Sequence, residues 1–297
     1  MPRREPQMDQ REIDRIVEAV TQKIRERLDC TNDRCTASAE DCIGCGDCVI
    51  RRPEDVDKIV QLGAVRVGSS LNSGRPKDGL ARFIDHTLLA PDATQDQLRT
   101  LCEEAKKYGF YSVCVNSTNV AFCRSLLAGS PVKVVAVVGF PLGAMSPGAK
   151  SYEGREALLA GADELDMVIN IGELKSRRYA VVLEDIRKVV DAARPKPVKV
   201  IIETSKLTQT EKIVACALSK AAGARFVKTS TGFGGGGATA EDVALMKEVV
   251  GADMEVKASG GVRNTKDMET MLAAGATRIG ASASVEIVQG KTSKAAY

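Results

Sequence analysis

The sequence predicts an α/β protein built as a (β/α)8 TIM barrel, preceded by a separate amphipathic helix and a Cys-rich extension. Three observations carry that prediction. Eight short runs rich in β-branched residues follow one another after residue 80; amphipathic stretches of helical period separate them; and several of those stretches end in glycine. Continuous apolar strands alternating with helices form a parallel sheet covered by helices. Eight such units in about 215 residues match the usual size of the closed barrel. An open doubly wound sheet is the competing architecture, but no Gly-rich turn follows the first run, which weakens it.

In chain order the predicted strands lie in ARFIDHTLL, YSVCVN, KVVAVVGF, ELDMVIN, VKVIIET, RFVKTS, MEVKAS and RIGAS. Helices are expected at QDQLRTLCEEAKKYG, TEKIVACALSKAAG, AEDVALMKEVVG and TKDMETMLAAG, among others. Gly109, Gly161, Gly223 and Gly275 stand where a helix C-terminus calls for positive φ. Residues 69–79 (SSLNSGRPKDG) have the composition of a flexible connection and divide the chain. The organisation is therefore a helix over 1–29, a Cys-rich segment and linker over 30–79, and the barrel over 80–297.

Composition narrows the function. With 297 residues, 44% hydrophobic and 27% charged, the chain has ample material for one barrel-sized core. A net charge of +3 is too balanced for nucleic acid or an anionic membrane to be the main partner. No apolar run approaches the roughly 20 residues that span a bilayer, and the charged N-terminus lacks a secretory h-region, so a cytoplasmic protein is expected. His86 is the single histidine, which excludes chemistry built on several imidazoles.

The chemical signal lies in charged residues placed inside strands that are buried on both faces, where a charge is costly unless paired or used. Asp166 falls in ELDMVIN, Lys228 in RFVKTSTG and Lys257 in EVKASGG, toward the strand ends where barrels form their sites. A lysine in an apolar barrel beside a second cation loses its proton easily, because desolvation and like charge both lower its pKa. Two lysines and a carboxylate therefore point to Schiff-base chemistry, with Lys228 or Lys257 as nucleophile and Asp166 managing protons. A Lys228–Asp166 ion pair of purely structural purpose is the alternative. The Gly-rich turns TGFGGGG (231–237) and SGGVR (259–263) follow the Lys228 and Lys257 strands, and GAS (280–282) closes the last strand. Such turns expose backbone N–H groups that cradle phosphate, with Arg263 and Ser282 adding a charge and a hydroxyl.

Taken together, IDHTLLAPDAT, VCVN, GFPLG, GADELDMVINIG, KVIIET, FVKTSTGFGGGGAT, VKASGGVR and RIGAS resemble the deoxyribose-phosphate aldolase family in order and spacing, over residues 80–297. The resemblance implies a class I aldolase that reversibly cleaves 2-deoxy-D-ribose 5-phosphate to D-glyceraldehyde 3-phosphate and acetaldehyde, with no cofactor for catalysis. It assigns Lys228 as the Schiff-base lysine and Lys257 as the second lysine that keeps it deprotonated. Asp166 becomes the acid/base, Asp85 the partner of Lys257, and Cys114 a lining residue of the substrate pocket. Gly232, Gly260, Gly261, Arg263, Gly280 and Ser282 fall on phosphate-binding positions. Tyr297 matches the C-terminal tyrosine that assists proton transfer in some members. Phe233 and Ala283 depart from the family pattern, standing where some members carry a phosphate-binding lysine and a second serine.

The extension predicts something else. Residues 9–28 form an amphipathic helix, capped by Asp9 with Glu12 three residues on, and Ile13, Ile16, Val17, Val20, Ile24 and Leu28 make a narrow apolar stripe. The stripe either docks on the barrel or binds another chain. It resembles the encapsulation peptides that direct enzymes into bacterial microcompartments, which implies a shell-protein partner and a location inside such a compartment. Cys42, Cys45 and Cys48 follow a C-x2-C-x2-C spacing resembling the ferredoxin run, and with Cys30 or Cys35 they suit an iron–sulfur cluster or zinc. Cys102, Cys123 and Cys216 are expected in the core. A homodimer or larger homo-oligomer is expected. The competing functions are a Schiff-base aldolase for another aldehyde pair, and a metal-binding scaffold or redox cargo protein.

Overall fold

The computed structural model describes residues 79–293, together with Arg11, Asp14, Arg15, Val17, Glu18, Ala19 and Gln22 of the N-terminal segment. Eight parallel strands close into a barrel in chain order, so the doubly wound alternative falls away. The strands are β1 (Ile84–Leu88), β2 (Ser112–Val115), β3 (Lys133–Val138), β4 (Glu164–Val168), β5 (Val198–Ile201), β6 (Phe226–Lys228), β7 (Glu255–Ser259) and β8 (Arg278–Ala281). Each lies within one of the eight predicted runs. β1 closes the barrel on β8, with Ile84 opposite Ile279 and Asp85 opposite Gly280.

The helical ring consists of α1 (Gln95–Tyr108), α2 (Val120–Leu126), α3 (Pro147–Leu159), α4 (Ile171–Lys175), α5 (Tyr179–Ala193), α6 (Gln209–Ala221), α7 (Ala240–Val250), α8 (Thr265–Ala273) and α9 (Ser284–Val288). Local signals start and stop them. Thr94 and Thr208 open α1 and α6 with reciprocal capping boxes to Gln97 and Glu211. Gly109 closes α1 in the left-handed conformation, φ 68°.

Alternation along the strands sorts their side chains between two cores. Outward-facing Val113, Val115, Val134, Ala136, Leu165, Met167, Val200 and Val227 pack with the helices into the main apolar cluster. Inside the barrel, Cys114, Val135 and Val137 form a separate small cluster with Leu89. Cys102, Cys123 and Cys216 are buried as expected. The seven described residues of the N-terminal stretch are all helical. Val17 is buried within the barrel's main apolar cluster, which agrees with the docked alternative for that helix at this position. The predicted metal ligands Cys30, Cys35, Cys42, Cys45 and Cys48 lie outside the described residues.

Candidate active site

The barrel interior is divided by polarity. β2 and β3 contribute Cys114, Val135 and Val137, whereas β4 to β8 and β1 contribute charges. β4 supplies Glu164 and Asp166, two residues apart and therefore on one face; β5 supplies Lys199, β6 Lys228, β7 Lys257, β8 Arg278 and β1 Asp85. All seven are buried, and Asp85, Asp166, Lys199 and Lys257 have no accessible surface at all. Strand register sets their heights: Asp166 stands opposite Lys199, and Lys228 opposite Lys257. Asp166 and Lys257 lie in the middle of their strands, one step deeper than the expected strand ends.

Asp166 is the centre of the arrangement. Its Oδ2 lies 2.8 Å from the Nζ of both Lys228 and Lys257, while its Oδ1 accepts from Lys199 at 2.8 Å. Lys257 also pairs with Asp85 at 2.5 Å. Asp85 in turn accepts from Ser112 at 2.6 Å and Arg278 at 2.9 Å. Burial raises the carboxyl pKa of Asp166, but the three ammonium groups outweigh it and hold the group well below the ordinary range. Lys257 is pushed above the ordinary lysine range, because Asp166 and Asp85 together overcome the cost of its burial. Lys228 moves the other way. Burial pulls it down, Asp166 opposes, and the neighbouring Lys257 pulls it down further, leaving it below its ordinary value. Of the two candidate nucleophiles, Lys228 is thus the one whose pKa is lowered. The Cys114 thiol is pushed up by burial and stays neutral.

The Gly-rich turns meet above this cluster. Loop 231–237 touches loop 259–263, where the Ala238 amide donates to Gly260 O at 2.9 Å. A Cβ on Gly237 would come within 2.6 Å of that same oxygen, so only glycine allows the approach. Gly280, opposite Ser259 in the ladder, has no room either: a Cβ there would lie 2.3 Å from Ser259 Oγ and 3.0 Å from Lys257 Cε. Gly232, Gly260 and Gly261 all have positive φ. Arg263 is exposed, with its amide bonded to Asp267. Ser282 is exposed just past β8, beside a cavity of about 260 Å³ shared with His86, Thr87 and Glu104. Phe233 is half exposed and packs edge-on against Phe140. Tyr297 lies outside the described residues.

The sequence reading assigned no role to Lys199, Glu164, Arg278 or Glu203. Lys199 was visible on the rule that found the others, a lysine inside a strand. Glu164 and Arg278 open their strands, where a charge ordinarily faces solvent. Glu203 follows β5 with left-handed backbone (φ 56°), and its buried carboxylate accepts from the Thr231 amide at 3.1 Å and from the Thr231 hydroxyl. It thereby anchors the start of loop 231–237.

Among the described residues no group of three or more His, Cys, Asp or Glu side chains is placed to hold a metal ion, and no helix is long and apolar enough to cross a membrane. Comparison with known proteins matches residues 80–292 to the DeoC/LacD family of aldolases. A deoxyribose-phosphate aldolase of Staphylococcus epidermidis is 60% identical over 217 residues, 73% of this chain and 99% of that protein. One from Clostridium perfringens is 57% identical over 222 residues, covering 74% of this chain and 99% of the relative. The tetrameric deoxyribose-phosphate aldolase structure from Aeropyrum pernix superposes with a TM-score of 0.68 at 33% identity, over 78% of this chain and 96% of that one.

Proposed function

We propose that this chain, which belongs to the DeoC/LacD family of aldolases, is a class I deoxyribose-phosphate aldolase with Lys228 as its Schiff-base nucleophile. The observation that carries the reading is that Lys228 shares a single carboxylate oxygen, Asp166 Oδ2, with a second lysine, each at 2.8 Å. The names of relatives whose own length this chain covers almost completely support the substrate, 2-deoxy-D-ribose 5-phosphate.

The chemistry follows from a neutral amine in that position. Lys228 Nζ adds to the C1 aldehyde of the open-chain sugar to give a carbinolamine, and a proton delivered to its hydroxyl lets water leave and gives the protonated imine. The C3 hydroxyl then loses its proton and the C2–C3 bond breaks. The bonding pair moves into an enamine at C1–C2, and C3 leaves as the aldehyde of glyceraldehyde 3-phosphate. A proton added at C2 and hydrolysis of the resulting imine release acetaldehyde and the free amine. Asp166, within hydrogen-bond reach of Lys228, is the group we assign to proton transfer at the carbinolamine and enamine; Tyr297 is assigned the proton at C2. Gly232, Gly260, Gly261, Gly280, Arg263 and Ser282 are assigned to the phosphate, and Cys114 to the apolar wall. Every step uses side chains of this chain and water, so the reading calls on no cofactor.

Reductive trapping tests this reading. Borohydride added with 2-deoxyribose 5-phosphate is expected to leave an adduct that peptide mapping places on Lys228. An adduct elsewhere, or none on the active protein, would overturn it. Another Schiff-base aldolase activity would show as trapping by a different aldehyde and none by this sugar.

The remaining assignments concern the rest of the chain. Tyr152 and Leu159, seven residues apart on α3, are 64% and 78% exposed, and this apolar face supports a homodimer or larger assembly. Light scattering of a Tyr152→Glu/Leu159→Glu variant should show a smaller particle. For residues 1–29 we propose binding to a microcompartment shell protein inside the cytoplasm, on the amphipathic pattern, the helix exchanging its Val17 contact with the barrel for the shell; full packaging of a chain lacking residues 1–79 would sink that idea. For Cys30, Cys35, Cys42, Cys45 and Cys48 we propose zinc or an iron–sulfur cluster on spacing alone, to be tested by elemental analysis of anaerobically purified protein.

A further inference from the structure

The charged side chains inside the barrel form a closed circuit. Starting at Asp85, the contacts run to Lys257 (2.5 Å), Asp166 (2.8 Å), Lys199 (2.8 Å), Glu164 (2.6 Å), Arg278 (3.2 Å) and back to Asp85 (2.9 Å). Anion and cation alternate at every step, three of each. Lys228 stands outside the circuit as a seventh group, attached only through Asp166 Oδ2. We propose that Lys199, through this balanced ring, is a positioning residue that keeps Lys228 neutral. The inference rests on Lys228 being the nucleophile and deepens that reading.

The count of charges is the physical basis. Three carboxylates are matched by Lys257, Lys199 and Arg278, so a protonated Lys228 would be a fourth cation in a closed, water-poor interior. An uncompensated buried charge is expensive, and an amine escapes the cost by giving up its proton. The other charged groups on this side of the sheet make no contact with the ring or with Lys228: Glu203, just past β5, is bonded to the Thr231 amide and hydroxyl, Glu255 is paired with Arg225, and Lys133 is exposed. β2 offers Ser112, bonded to Asp85, and the neutral Cys114; β3 offers Val135 and Val137; β6 adds Phe226 and β7 adds Ser259. His86 faces outward to Glu104. Lys199 is locked between its two carboxylates, with its pKa raised by Asp166 and Glu164 against the cost of burial. Arg278 lies over the Tyr111 ring at 3.4 Å and is likewise held charged by Asp85 and Glu164. On this view Lys257 is one of three cations that fill the carboxylates, and Lys199 supplies the same service from the opposite side of Asp166.

Opposite substitutions should move Lys228 in opposite directions, which simple damage to the site would not do. Lys199→Met leaves one carboxylate unmatched, so Lys228 retains its proton to higher pH. Glu164→Gln leaves one cation in excess, so Lys228 loses its proton at lower pH. The double variant restores two anions to two cations. The measurement is the pH dependence of cyanoborohydride trapping of acetaldehyde on Lys228, quantified by peptide mapping in the full chain. The midpoint should rise by about one pH unit or more in Lys199→Met, roughly a tenfold lower rate below it. It should fall in Glu164→Gln and return toward the wild-type value in the double variant, while Lys199→Arg leaves it in place. Equal midpoints in all variants, or shifts of the same sign in Lys199→Met and Glu164→Gln, would overturn the proposal. If Lys199→Met does not fold, a Glu164→Gln midpoint at or above wild type overturns it alone. An absence of any Lys228 adduct in the wild-type protein would instead sink the Schiff-base reading itself, and this inference with it.

Discussion

Lys150 and Lys228 are both buried against aspartates, on opposite sides of the same sheet. Lys150, on the inner side of α3, has Asp185 to itself at 2.5 Å and also donates to Val168 O at 2.8 Å. Burial lowers the lysine and raises the aspartate, and their contact opposes both changes. Lys228 has no carboxylate of its own, since Asp166 also serves Lys199 and Lys257. The difference is one of stoichiometry. A buried lysine with a private counter-ion is a fixed strut between helix and strand, whereas one that shares its counter-ion with two other cations is poised to lose its proton. The structural alternative considered for Lys228 therefore describes Lys150 better.

Removing each lysine should separate the two roles. Lys228→Met is expected to lower kcat/KM by about 10⁴-fold or more, as loss of a covalent nucleophile does. Thermal stability should hold or rise, because the amine removed has no carboxylate of its own and its loss leaves the ring matched. Substantial residual turnover would mean that another lysine forms the imine. Lys257→Met comes next. It leaves Asp85 and Asp166 under-matched, so Lys228 binds its proton more tightly and activity at pH 7 falls by about 10²-fold or more. The wild-type amine is depressed, so its reactivity is lost as pH falls through its pKa; in Lys257→Met that loss begins at higher pH, and raising the pH should recover part of the rate. A kcat profile with an unchanged acidic limb would break the comparison.

Lys150→Met should act on folding instead. It strands the Asp185 carboxylate with no accessible surface to speak of, a loss of about 3–5 kcal/mol in denaturant unfolding. Lys150→Met/Asp185→Leu should recover most of it, and the surviving folded enzyme should keep its pH profile. A shifted profile with intact stability would show that Lys150 too is coupled to the chemistry.

How much of this was readable from the sequence depends on what each feature requires. The eight strands were legible because each is a continuous apolar run, and the closing glycines because left-handed backbone favours them. Lys228, Lys257 and Asp166 stood out because a charge inside such a run is costly. Which lysine shares which carboxylate was not legible, because it depends on the register of four strands and on side chains from β4 and β7 meeting across the barrel axis. Lys199 carried the same signal as the other two lysines, but it lies on a strand with no Gly-rich turn after it to mark it as part of a site. Glu164 and Arg278 sit at the first residue of their strands, where composition alone reads them as solvent-facing. The Gly-rich loops were placed correctly beside the lysine strands, although their mutual contact through Gly237 and Gly260 is a property of the closed barrel.

The smallest expected effect extends the comparison to a lysine that needs no partner. Phe233 occupies the tip of loop 231–237, 47% exposed and touching the Phe140 ring at 5.4 Å between centroids. A lysine placed there would keep its charge in solvent, so it should neither disturb the interior ring nor demand a carboxylate. Its ammonium would lie on the same loop as the positive-φ Gly232, where we assign the substrate phosphate. Phe233→Lys should therefore lower KM for 2-deoxyribose 5-phosphate by roughly three- to tenfold, the value of about one exposed charge-assisted contact. It should leave kcat, the trapping midpoint of Lys228 and the KM for unphosphorylated 2-deoxyribose unchanged, and the gain should shrink as salt is added. An equal gain for both sugars would place the phosphate away from this loop. A shifted midpoint would show that the interior ring senses charge from outside the barrel, and the separation between private, shared and solvent-held lysines would then be one of degree.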